Sequence, residues 1–108
     1  MINVLGNRYA VRPDSTLLVE ENKLGATDMA AGEIRWYPNV LPEMVPHVIF
    51  HELVHALLFL GHLQFLVHPV TKQHDEAGID AIVSLLLDVL RTNGLLNEER
   101  LRELINDG

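Results

Sequence analysis

The run His51-Glu52-Leu53-Val54-His55 puts two imidazoles and a carboxylate inside an otherwise apolar stretch, with Val48, Ile49 and Phe50 before it and Ala56, Leu57 and Leu58 after it. Polar groups in such surroundings must be given partners, because burying them unpaired is costly. On a helix, positions four apart lie one above the other on the same face. His51 and His55 can then ligate one ion at about 2.0–2.1 Å each. Glu52 lies about 100° around the helix from His51, within reach of a water on that ion. Zinc lowers the pKa of bound water towards about 7. A carboxylate beside that water can take its proton and return it to a leaving group. The plainer alternative, two core or surface histidines beside a solvated glutamate, leaves the apolar setting unexplained.

Such a site needs a third protein ligand. A histidine six residues after His55 would mark the metzincin pattern, but Gly61 stands there and Leu58 replaces the glycine that pattern requires. Glu76, near the start of the next predicted helix, is the better candidate, because His₂Glu is a set used by catalytic zinc sites. Asp80 follows Glu76 by one helical turn and can accept the free N–H of a ligating histidine. Asp75, His74 and His62 are reserve ligands. His47 continues the spacing of His51 and His55; it could sit near the site, but capping the helix start is the expected role for it, and an ordinary residue away from the site is expected for His68. Tyr37 and His62 are candidates for stabilising an oxyanion.

The 108 residues suffice for one small domain, and 48% of them are apolar, which argues against disorder. The net charge of −7, with no block of Lys or Arg, argues against direct nucleic-acid binding. There are no cysteines, so any metal is held by His, Asp or Glu. The segment from Met1 to Ala10 has no charged start before an apolar core, so a signal peptide is not expected. The most apolar window, Leu53 to Val67, is interrupted by His55, Gly61, His62 and Gln64 and falls short of the roughly twenty apolar residues of a bilayer span. A cytoplasmic protein with no membrane association is expected.

Residues 1–40 read mainly as strands and residues 41–108 mainly as helices, an α+β pattern with a small N-terminal antiparallel sheet. Val4-Leu5 and Tyr9-Ala10-Val11 flank Gly6-Asn7, which predicts a hairpin. Leu17 to Glu20 is a second apolar stretch, after the turn signal Pro13-Asp14-Ser15. Leu24 to Thr27 leads into a turn over Asp28 to Gly32, and Glu33 to Tyr37 alternates, with Ile34 and Trp36 on one face. A helix is expected to start at Pro42 or nearer Pro46 and to run to about Leu60, with Gly61 as its stop. Gly61 to Gln73 reads as a loop. A second helix runs from about His74 to Thr92, with Ile79, Ile82, Val83, Leu86, Leu87 and Leu90 at helical spacing. Asn97 is the predicted N-cap of a short last helix, Glu98 to Asn106.

The stretch from Val48 to Leu58 resembles the ImmA/IrrE-type metallopeptidases, especially the short H-E-x-x-H proteins of phages and prophages. Val4-Leu5-Gly6 to Tyr9-Ala10-Val11 looks like their first hairpin. Leu24-Gly25, Asp28 and Gly32-Glu33-Ile34 look like their turn and strand before the active helix. Glu76-Ala77-Gly78-Ile79-Asp80 is similar to the family's E-x-x-A-[N/D] segment, with Ile79 where alanine is usual. Val89 to Asn93 looks like the end of that helix. The resemblance implies a minimal zincin-like fold, Glu76 as third metal ligand, and hydrolysis of a peptide bond, often in a bacterial repressor or phage regulator.

Three functional readings follow. The first is a zinc metallopeptidase, with Glu52 as general base and a substrate strand held along a sheet edge, expected at Glu33 to Tyr37. Another divalent transition metal is compatible with the same donors. The second is a metal-binding regulatory or partner-binding protein without catalysis, in which His62 or His74 closes the coordination shell. The third is a helical interaction protein, monomeric or dimerising through its Leu- and Val-rich surface.

Overall fold

The computed structural model describes residues 1–60 and 76–106. The α+β expectation holds: a four-stranded sheet is followed by helices. The strands are β1 (Ile2–Val4), β2 (Asn7–Pro13), β3 (Gly25–Asp28) and β4 (Glu33–Trp36), and the helices are α1 (Val45–Leu60), α2 (Glu76–Thr92) and α3 (Glu98–Asn106).

The predicted hairpin forms, with Ile2 opposite Tyr9 and Val4 opposite Asn7. Its turn is Leu5-Gly6 rather than Gly6-Asn7. Both turn residues have positive φ, 49° and 81°, which suits the twist of a two-residue hairpin. Asn7 is thereby freed to donate from Nδ2 to the Leu5 carbonyl at 3.2 Å.

The sheet is mixed, not purely antiparallel. Its order is β1-β2-β4-β3, and β4 runs parallel to β2, with Val11 opposite Ile34, and antiparallel to β3. Leu17 to Glu20 forms no strand; Leu17–Glu21 is a wide helical turn with Leu17 fully buried. That turn carries the chain to the far side of the sheet, and β4 then enters between β2 and β3. Asp14 fastens the crossing. Its amide donates to the Trp36 carbonyl at 2.8 Å, and its carboxylate accepts from Arg35 at 2.9 Å. Thr16, through its hydroxyl and amide, and then Arg35 hold the Asp14 carboxyl down at about 2.

Buried Tyr9, Val11 and Ile34 meet Ile49 and Ala56 of α1, and Leu101 and Ile105 of α3 join the same core. A second cluster, Leu58 with Ile79, Val83 and Leu87, joins α1 to α2. Ile34 is 0% exposed at the centre of the larger cluster. Ile34→Ala is expected to cost about 2–5 kcal/mol, read as a lower urea midpoint with an unchanged slope.

Pro42–Met44 forms a tight turn that merges into α1, and Pro46 falls in the first turn of that helix, where its missing N–H is harmless. By length and composition the 19-residue segment Pro42–Leu60 could cross a bilayer. Here it is a core helix, with Ile49 and Ala56 in one cluster, Leu58 in the other, and ionisable His51, Glu52 and His55 between them. At α3, Asn97 caps as predicted, its Oδ1 accepting from the Arg100 amide at 2.9 Å.

Candidate metal centre

Helix α1 presents His47, His51 and His55 one turn apart, and α2 presents Glu76, Asp80 and Ser84 at the same spacing. The packing of Ile79, Val83 and Leu87 against Leu58 sets these two ladders face to face. His55 Nε2 lies 3.2 Å from His51 Nε2 and 3.0 Å from Glu76 Oε1. His51 Nε2 lies 2.6 Å from Glu76 Oε2. One ligand atom from each of the three residues falls within 4.8 Å of the other two, so the group could hold a metal ion.

The spacing suits the donor chemistry. Two ligand atoms about 2.05 Å from a tetrahedral ion lie about 3.3 Å apart. The two imidazole nitrogens stand at 3.2 Å. Lone pairs that close repel unless a cation or a shared proton lies between them. A divalent ion held there would also offset the nearby carboxylates of Glu76, Asp80 and Glu52.

Asp80 stands against the His51 ring. Its Oδ1 accepts from His51 Nδ1 at 2.6 Å, which leaves Nε2 to face His55 and Glu76. The same oxygen lies 3.1 Å from His47 Nε2, and the Ser84 hydroxyl lies 3.5 Å from His47 Nδ1. His47 therefore belongs to the outer layer of the site rather than capping the helix. Burial would raise the Asp80 pKa, but bonds from His47 and His51 outweigh it and hold it low. Burial pulls the His51 pKa down; the charges and hydrogen bonds of Glu52, Glu76 and Asp80 more than reverse this. Asp80→Asn is expected to weaken metal binding about 10–100-fold with little change in fold, measured by competition with a chromogenic chelator.

Glu52 is 7% exposed, the one buried charged residue among those described. Burial pushes its pKa up, a hydrogen bond from Thr27 and the nearby imidazoles pull it back, and Glu76 adds to the rise. Thr27 donates to Glu52 Oε1 at 2.7 Å, and its Oγ1 also lies 3.2 Å from the Glu52 carbonyl oxygen. A cleft of about 1250 Å³ runs between β3 and the two helices and reaches His51, Glu52, His55, Glu76 and Asp80.

Other expectations fare differently. The sheet edge beside the site is β3, because β4 is enclosed by β2 and β3; Glu33 to Tyr37 offers no free edge. Tyr37 does not line the cleft, and its hydroxyl accepts from Asn39 Nδ2 at 3.5 Å. His62, His68, His74 and Asp75 lie outside the described residues. Gly25 and Thr27 are the contributors that sequence reasoning missed. Both touch Glu52 across a separation of some twenty-five residues, and no local pattern marks such a contact.

Fold and site together define a small α+β chain whose H-E-x-x-H helix, with one carboxylate from the next helix, could hold a metal ion. No protein-family model, curated protein or solved structure matches the chain.

Proposed function

We propose that this chain is a zinc-dependent metallopeptidase of the kind its motif resembles, the short ImmA/IrrE-type proteins. The observation that carries this reading is the convergence of His51 Nε2, His55 Nε2 and the Glu76 carboxylate at ligand spacing, with buried Glu52 on the same cleft. The H-E-x-x-H motif is what favours zinc; two imidazoles and a carboxylate also accept other divalent transition metals. Bound there, zinc would lower the pKa of a water towards about 7 and polarise a carbonyl. Glu52, buried on the same cleft, would be the general base, holding a proton in transit from the attacking water to the departing amine. Asp80 keeps the His51 ring turned so that Nε2 faces the site. An extended peptide pairs with the edge strand β3, whose residues Gly25 to Asp28 line the cleft. The substrate is a protein or peptide, such as a bacterial or phage regulator, and the setting is the cytoplasm, where a cysteine-free chain is at no disadvantage.

The test is to incubate the zinc-loaded protein with a proteome-derived peptide library and read new termini by mass spectrometry. Cleavages that vanish on chelation and return with zinc support the reading. A zinc-loaded protein that cleaves nothing supports instead a metal-binding protein without catalysis.

A further inference from the structure

A glutamate has three rotatable bonds, and a general base must be held close to one geometry to act. Position on α1 alone does not do this for Glu52, since its side chain could swing along the cleft. Two features of β3 remove that freedom. Thr27 donates its hydroxyl proton to Oε1 at 2.7 Å. On the same face, two residues earlier, Gly25 lies so close that a Cβ there would stand 2.9 Å from Glu52 Oε2, 3.0 Å from its Cγ and 2.9 Å from Val48 Cγ1. Gly25 has an ordinary backbone conformation, so here the lack of a side chain matters for space. Alternation in the strand puts residues 25 and 27 on one face, so backbone and hydroxyl grip the same carboxylate from neighbouring points.

We propose that Thr27 is a positioning residue for Glu52, and that Gly25 leaves the room in which Thr27 holds it. The proposal rests on the metallopeptidase reading and deepens it: the sheet edge that receives the peptide also fixes the base. The Thr27 hydroxyl holds one oxygen of Glu52 in place, so the carboxylate keeps one orientation in the cleft.

Acetohydroxamic acid tests this without a known substrate. It gives up a proton on binding a metal, and a carboxylate held beside the ion can take that proton and keep it hydrogen-bonded to the bound probe, which strengthens binding. The zinc-loaded wild type, Glu52→Gln, Thr27→Val, Thr27→Ser and Gly25→Ala are compared by calorimetry, with zinc affinity and thermal midpoint measured for each. Valine keeps the shape and β-branching of threonine and puts a methyl in place of the hydroxyl. The expected result is acetohydroxamate binding about ten-fold weaker in Thr27→Val, as for a lost hydrogen bond to a charged group. Binding is restored to within about two-fold in Thr27→Ser, which keeps the donor. Gly25→Ala weakens it with Thr27 intact, and zinc affinity in all three stays within about three-fold, because the ligands are untouched. If Glu52→Gln weakens the probe but Thr27→Val does not, the positioning role is overturned and the metallopeptidase reading stands. If Glu52→Gln leaves the probe unaffected, or the wild type binds no zinc, both fall together. A loss in Thr27→Val that serine does not restore also overturns the role, since it then reflects packing and not the hydroxyl.

Discussion

Glu52→Gln is expected to bind zinc as the wild type does and to lose hydrolysis by about 10²–10⁴-fold, the range that a positioned general base contributes. The amide has nearly the shape of the carboxylate and can still accept from Thr27 through its oxygen, so the fold should hold. Removing a buried carboxylate whose pKa burial has raised even relieves a desolvation cost. Stability and activity are therefore expected to move in different directions, a separation that simple misfolding does not produce. The measurement is turnover of any peptide found in the library screen, beside zinc affinity and the thermal midpoint of the same preparation. Full turnover in zinc-loaded Glu52→Gln would remove Glu52 from the base role.

Chelation is expected to lower the thermal midpoint steeply. A ligand that binds only the folded chain, present at a thousand times its dissociation constant, stabilises by about 4 kcal/mol. For a domain of this size each kcal/mol moves the midpoint by roughly 4–8 °C, so a fall on the order of 15 °C or more is expected on metal removal. Two elements should feel it first. The ligands link α1 to α2, whose other bond among the described residues is mainly the small cluster of Leu58, Ile79, Val83 and Leu87. The core formed by the sheet, α1 and α3 does not depend on the ion. Glu76→Ala is expected to lower the midpoint of the zinc-supplemented protein and to leave it nearly indifferent to chelator. An unchanged midpoint in wild type on chelation points instead to an interaction protein without a metal.

The parts of this structure that were legible in the sequence are those set by neighbours along the chain. The start of α1 follows from Pro42 and Pro46 and its body from an apolar run, and α3 begins where Asn97 can cap it. His51 and His55 share a face because helix geometry requires it, and Asp80 sits one turn from Glu76 for the same reason. Long-range choices were hidden. Alternation at Glu33 to Trp36 marks a strand but not the direction in which it pairs, so the parallel match of Val11 with Ile34 had no local sign. The hairpin turn moved by one residue because Leu5 accepts a left-handed conformation that its side chain does not advertise. Leu17 to Glu20 carries strand-like residues, yet one buried leucine and a turn satisfy the crossing better than a fifth strand. In the candidate site, His51 and His55 were legible from their four-residue spacing, and Glu76 from its place at the start of the next helix and from the family segment it resembles. Thr27 and Gly25 were not, because an ordinary threonine and glycine become informative only once β3 lies against Glu52.

Metal content by elemental analysis, on protein loaded with zinc and then passed through a desalting column, tests the central claim most directly. The account predicts one equivalent retained by the wild type and by Glu52→Gln, and nearly none by Glu76→Ala or His51→Ala. Retention of a full equivalent by Glu76→Ala, or no retention by the wild type, would contradict it.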